Sequence, residues 1–409
     1  MEISSRAQAP SSFDIPYKPS WNPLRCTGTG LPTNLVVLVK ALAIAVLVTN
    51  HVRLLPDPWL SFIPAIDSIP GPPFKLTIQV IFVASAVAIL FNRRIQWASL
   101  ILGTTMLLAV VSSKAYYGNN KAFCGLMFLL TGLYKPGGLP FVRWQLALTY
   151  FGAGLNKLLD HDWQTGIFFE FWAVQRLHER AYMLLDSLLP KMWLGKFMCW
   201  FTISTELGVV PLLLIRRLYP WGALLNVLFQ CGLCLFVGDT FTLFFYAMNA
   251  ASLAFVTWPS KRMRVEYEAS NQKMERLRRL LGRLDLDGRL EWTGASRTFA
   301  VEGALPLRLT TDDRSYTGAN ALRMMVLFNP VTCFVFTTLM AISGYQETSG
   351  LAIYRRVLLG ITLLLLMPPL AWIVDRISRG RDTSERRASS PKIISSDTTS
   401  SIRKMHSGR

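Results

Sequence analysis

The sequence predicts an all-α, multi-span transmembrane helical bundle with one small soluble insertion. Three observations predict it. Of the 409 residues, 51% are hydrophobic and mean hydropathy is positive, more apolar than a soluble chain of this length. Several apolar runs are roughly 17–22 residues long, enough to cross a hydrocarbon core about 30 Å thick. Lysine and arginine collect in alternate loops, the pattern that marks the cytoplasmic side of a membrane protein.

The runs fall near residues 34–51, 75–92, 97–113, 121–134, 142–159, 193–215, 221–237 and 240–257. Weaker ones lie near 327–344 and 356–374. Arg93 and Arg94, then Lys135 and Arg143, then Arg216 and Arg217, then Lys261, Arg262 and Arg264 mark one set of loops. The other set is Pro-rich (53–73), acidic (160–186) or nearly uncharged (238–239). The N-terminus, the insertion and the C-terminus are therefore expected in the cytoplasm. Arg355 and Arg356 depart from this alternation.

The chain divides into an N-terminal cytoplasmic tail (1–33), a bundle (34–258), a soluble insertion (259–326), C-terminal hydrophobic segments (327–376) and a basic tail (377–409). The N-terminal tail is rich in Ser and Pro and has no short apolar core of a cleavable signal peptide, so the first membrane helix is expected to act as the insertion signal. The C-terminal tail is rich in Ser, Arg and Thr and is expected to be disordered. The net charge of +18 suits loops that set orientation and meet anionic lipid. No RNA-binding or helix-turn-helix pattern is visible, so no nucleic acid partner is expected. Membrane lipid is the expected partner of the bundle, and residues 259–326 offer a surface for a protein.

Most of the six cysteines lie in apolar segments, which implies no extracellular disulfide framework. Cys231 and Cys234 form a CxxC inside an apolar run, whereas redox pairs open soluble helices, where the dipole lowers a thiol pKa. His51, His161 and His178 have no metal-ligand spacing, so no metal site is expected. The segment "FFEFWAVQRLHERAYMLLDSLL" reads as an amphipathic or re-entrant piece on the outer face. "MERLRRLLGRLD" reads as an amphipathic basic helix.

Ionisable side chains inside membrane helices are costly and tend to mark sites. Here they are Lys40, Lys157 and Glu206, with Lys121 at the edge of a run. Asn226 and Gln230 are four residues apart and share one helix face. The topology puts Lys157 at the outer end of its helix, near Asn119, Asn120 and Lys121, with Glu206 and Gln230 at mid-membrane. Tyr150, Ala153 and Gly154 precede Lys157 by seven, four and three residues and share its face. Plainer roles stand beside each. Lys157 can snorkel, or pair with Asp160 or His161. Glu206 can anchor one helix to another, and Asn226 and Gln230 can act as packing glue. Gly152, Ala153 and Gly154 suit close helix packing.

The stretch "YFGAGLNKLLDHDWQTG" (150–166), with its small residues, "NKL", "DW" and a Gly three later, resembles the horizontally transferred transmembrane (HTTM) domain. That family includes the vitamin K-dependent γ-glutamyl carboxylases. The resemblance extends over residues 34–258 and includes "YYGNNKAFCGL", "TELGVVPLLLI" and "NVLFQCGLCLFVGDTFTLFFYAMNAASLAF". It implies a general-base lysine near the outer face, matched by Lys157, acting on a reduced quinone. Such a lysine must be largely neutral, which burial among apolar groups favours. Lys121 and Gln230 stand where the carboxylases have histidines, and an amide cannot move protons as imidazole can. The large extracytoplasmic domain that binds peptide substrates has no counterpart. Within the insertion, "VEYEASNQKMERLRRLLGRLDLDGRLEW" and "LRLTTDDRSYTGANALR" resemble the DCC family of thioredoxin-like proteins. There Glu268 stands for an Asp, and Asn271 and Met274 stand for the two cysteines. This implies a thioredoxin-like α/β domain without thiol chemistry.

Two functions follow as expectations. The first is a membrane enzyme that binds a quinone-like lipid. Lys157 would be its base, Lys121, Glu206 and Gln230 would line its pocket, and Asn120, Tyr150, Gly154, Trp163 and Asn226 would touch the lipid. The alternative is a non-catalytic adaptor that anchors a redox-dead, partner-binding module. Transport is less favoured, because no inverted repeat or Gly/Pro-broken helix pair is evident.

Overall fold

The computed structural model describes residues 21–48, 61–67, 71–136, 141–176, 180–237, 242–256, 258, 262–295, 305–311, 314–345 and 373. The run expected near 356–374 and the tail 377–409 lie outside these residues, apart from Ile373, and so do His51, His178, Arg355 and Arg356. The described chain is mostly helical. In order come α1 (Thr33–Val48), the short α2 (Pro64–Asp67), α3 (Gly71–Leu90), α4 (Ile95–Ser112), α5 (Asn119–Gly132) and α6 (Phe141–Leu159). Short helices α7 (His161–Thr165), α8 (Ile167–Glu170) and α9 (Arg180–Ser187) precede α10 (Trp193–Leu214), α11 (Tyr219–Val237) and α12 (Thr242–Ala251).

Three of these helices, α3, α4 and α10, are long and apolar enough to cross a membrane. α1 and the stretch Leu243–Phe255 are apolar but shorter. α1 has 16 residues and α5 has 14, about 24 and 21 Å at 1.5 Å per residue. Their hydroxyls are hidden by bonding back one turn. Thr105 donates to the Ile101 carbonyl at 2.7 Å and Thr131 to that of Met127 at 2.8 Å, which removes a polar group from an apolar helix surface.

Glycine sets the closest helix contact. A Cβ on Gly103 of α4 would lie 2.4 Å from the Leu129 backbone nitrogen of α5, and one on Gly132 would lie 2.6 Å from that of Leu100. Backbones can meet this closely only where the residue at the crossing has no side chain to intervene.

One end of the bundle gathers the basic loops. Asn34 at the start of α1 donates to the carbonyls of Leu253 and Ala254, just past α12. Arg143 of α6 donates to the Ala254 carbonyl at 2.8 Å and lies over the rings of Tyr219 and Phe255. Gln96, opening α4, donates to the Tyr134 carbonyl beyond α5. Starts and ends of several helices thus meet at this end. The opposite end carries α7, α8, a π-helical turn (Phe171–Arg176) and α9 against the first turns of α10. Phe169, Ala173, Tyr182, Leu194 and Cys199 form a small separate core there.

After the bundle comes a four-stranded mixed sheet in the order β2-β1-β3-β4. Its strands are β1 (Met263–Glu268), β2 (Leu290–Ala295), β3 (Leu307–Thr310) and β4 (Ser315–Thr317). β1 runs parallel to β2, pairing Met263 with Leu290, and antiparallel to β3, pairing Tyr267 with Leu307. Every second residue of β1, namely Met263, Val265 and Tyr267, is buried, as a half-covered sheet requires. α13 (Gln272–Leu284) covers it with Met274 and Leu281, and α14 (Gly318–Leu327) with Ala321, Met324 and Met325. α15 (Pro330–Tyr345) follows and packs on α1.

The sheet domain sits at the basic end. Asn329, ahead of α15, donates to the Leu284 carbonyl at the end of α13. Arg289 donates to Thr33 at the start of α1, and Thr27 donates to Asp287. Residues 21–32 form a strap between the two parts. Lys40, fully buried in α1, ties it down by donating to the carbonyls of Pro23 and Arg25 at 2.6 and 2.7 Å.

Candidate functional site

The strongest polar feature of the bundle spans α6 and α10. Lys157 Nζ donates to both carboxylate oxygens of Glu206, at 2.8 and 2.7 Å. The lysine side chain is 20% exposed and the glutamate 8%. Glu206, named beside Lys157 as a pocket residue, is its ion-pair partner, and neither Asp160 nor His161 is. Asp160 instead caps α7, accepting from the Asp162 backbone N–H. Gly154, one turn before Lys157, lets the two helices close. A Cβ there would lie 2.8 Å from Leu207 Cδ2 and 3.3 Å from Glu206 Cβ.

Aromatic rings flank the pair. Lys157 Nζ lies 5.0 Å over the Trp163 ring, within cation–π range. Trp163 stacks on Phe168 at 4.3 Å, and Phe168 stacks on Trp172 at 6.5 Å. The loop is locked onto α10, since Trp200 donates to the Gln164 carbonyl.

Two turns below Lys157 lies a second polar group. Tyr150 Oη donates to Asn226 Oδ1 and accepts from Gln230 Nε2, the latter at 2.8 Å. Asn226 in turn donates to the Met248 carbonyl and to Ser252. All four side chains are buried. The ring joins α6, α11 and the end of α12, so the shared face expected for Asn226 and Gln230 is real. Ser252 was not foreseen, because a serine near a helix end carries no sign of its distant partner.

Lys121 and Asn120 belong elsewhere. Lys121 Nζ donates to the Tyr116 carbonyl at 2.7 Å and lies 3.9 Å over the Tyr116 ring. Asn120 accepts from the Lys121 backbone N–H. Among the described residues neither hydrogen-bonds to α6 or α10, so the structure does not bring them to Lys157. The expected site therefore resolves into Lys157, Glu206, Gly154 and Trp163 on one level, Tyr150, Asn226 and Gln230 on another, and Asn120 with Lys121 apart.

A general base must present a free lone pair to its substrate; Lys157 Nζ donates to two oxygens instead. None of the buried side-chain atoms left without a hydrogen bond belongs to Lys157, Glu206, Tyr150, Asn226 or Gln230. The polar atoms of these residues are thus satisfied within the protein. Among the described residues no three His, Cys, Asp or Glu stand close enough to hold a metal. No protein-family model, curated protein or solved structure matches the chain.

Proposed function

We propose that the chain is a multi-pass membrane scaffold of the HTTM type, and that it holds a redox-inert, thioredoxin-like module for a protein partner at its cytoplasmic face. The bidentate Lys157–Glu206 pair carries this reading. It occupies both groups that a base mechanism would need free, and it ties α6 to α10. A buried pair of this kind adds little net stability, and here it would act mainly by fixing which helix faces which.

Three further observations support it. The strand order β2-β1-β3-β4, with β1 parallel to β2 and antiparallel to β3, is that of a minimal thioredoxin-like sheet. Where a redox pair would open α13, Asn271 accepts from the backbone N–H groups of Lys273 and Met274, an N-cap in place of a thiol. Residues 259–326 contain no cysteine. The basic loops beside the sheet domain favour a cytoplasmic position for it.

One observation favours a second reading, that of a lipid-binding site. The Trp163–Phe168–Trp172 stack beside a partly exposed Lys157 offers flat faces to a quinone-like ring. Lipid extraction and mass spectrometry of purified wild type, Lys157→Arg and Glu206→Gln test both readings. The scaffold reading expects the same lipids in wild type and Lys157→Arg, with the fold retained. A stoichiometric quinone lost from a folded Lys157→Arg would overturn it in favour of the second.

A further inference from the structure

α13 covers the sheet with Met274 and Leu281 and turns its opposite face outward. Lys273, Arg276, Arg279 and Arg283 lie on that outer face with Leu280 and Leu284 among them. Leu280 is 58% exposed and Leu284 37%. In the described part of the sheet domain only Leu305 joins them as a large apolar side chain this exposed. The acidic residue of the helix, Glu275, is engaged by Arg278 at 2.6 Å and more loosely by Arg279. The outer face therefore carries Lys273, Arg276 and Arg283 without an ion pair among the described residues and Arg279 loosely paired, with leucines beside them.

Leu280 and Leu284 lie close together beside the basic residues rather than scattered singly. In a helix lying on a bilayer, arginines meet anionic headgroups while leucines enter the acyl boundary. The position fits. The last carbonyl of α13, that of Leu284, accepts from Asn329, which directly precedes the apolar helix α15. The next loop is tied through Arg289 to Thr33, where α1 begins. The basic, leucine-bearing end of α13 is thus held where the helices of the bundle start.

We propose that the outer face of α13 is a docking surface for anionic phospholipid headgroups, holding the sheet domain against the membrane from which the bundle emerges. The inference goes beyond the scaffold reading. It needs the bundle in a bilayer, but neither the thioredoxin-like relation nor a structural role for Lys157. An acidic protein is the competing occupant; the leucines and the place of the helix beside the bundle favour lipid.

The test uses the full chain in nanodiscs, with bimane on Leu280→Cys and nitroxide-labelled lipids as quenchers. Quenching should be strong in discs containing phosphatidylglycerol and weak in phosphatidylcholine alone. High salt should weaken it. Arg276→Gln, Arg279→Gln and Arg283→Gln combined should abolish it, since each charge near an anionic surface changes partitioning about fivefold. Circular dichroism would verify that the triple variant is folded. Equal, weak quenching in both kinds of disc would overturn the proposal and leave the face to an acidic protein. Equal, strong quenching in both would also overturn it, because docking would then be apolar and indifferent to headgroup charge.

Discussion

Lys157 shows what a single residue discloses and what it conceals. Its place at the end of an apolar run, with Gly154 one turn before it and Trp163 beyond, was legible because helical spacing fixes which residues share a face. Its partner was not. Glu206 is 49 positions away, and one sequence carries no record of which distant helix it packs on. The pair makes a specific demand. Lys157→Met alone leaves a carboxylate buried without its counter-ion and should cost about 3 kcal/mol, the low end of the range because the lysine is partly exposed. Lys157→Met with Glu206→Met removes both charges and should recover most of that loss in thermal unfolding. Tyr150→Phe makes a second demand. It strips a hydroxyl from two buried amides and should cost about 1–3 kcal/mol for each group left unsatisfied. A melting temperature indistinguishable from wild type would remove the Tyr150–Asn226–Gln230 ring from the account.

At the scale of elements, helix limits follow the apolar runs closely. The run read as 193–215 is the helix Trp193–Leu214, and that read as 142–159 is Phe141–Leu159. Length and hydropathy fix where such a helix begins and ends, so this much was legible. The contact between α4 and α5 was not read, because Gly103 lies in one run and Gly125 and Gly132 in the next, and they show their common purpose only when facing one another. Gly103→Val should destabilise the protein by about 1–3 kcal/mol or more, since its new side chain meets backbone that cannot yield; detergent-solubilised melting curves would check this. In the sheet domain, hydrogen bonds from the Arg278 guanidinium hold the Glu275 carboxyl down at about 2, against an ordinary 4.5. A depressed carboxyl contributes stability above its unfolded pKa and loses it as pH falls through the folded one. Glu275→Gln should therefore lose a small, salt-sensitive share of domain stability at pH 7, a share that shrinks as pH falls toward 2 and is gone below it. A variant equally impaired at both pH values would show that Glu275 acts through packing instead.

For the whole molecule, the organising feature is the difference between the two ends of the bundle. The sheet domain, the strap held by Lys40 and by Asn92, which donates to the carbonyls of Asn22 and Arg25, and the first turn of α6 at Arg143 meet at one end; α7, α8 and the stacked rings of Trp163 and Phe168 crown the other. The alternating charge of the loops was legible as an expected orientation, because Lys and Arg tend to collect on the cytoplasmic side of membrane chains. The strap was not announced. Lys40 looked like a charge stranded in an apolar run, and only the folded chain shows it holding the carbonyls of Pro23 and Arg25. The central claim is that the bundle crosses a membrane with these ends on opposite sides. Single cysteines at Ser270, Arg217 and Asp162, placed in a background lacking the native cysteines, test it most directly with an impermeant thiol reagent applied to intact cells. The account predicts labelling at Asp162 alone, with Ser270 and Arg217 reacting only after the membrane is opened. Labelling of Ser270 or Arg217 from outside, or the same response at all three positions, would contradict it.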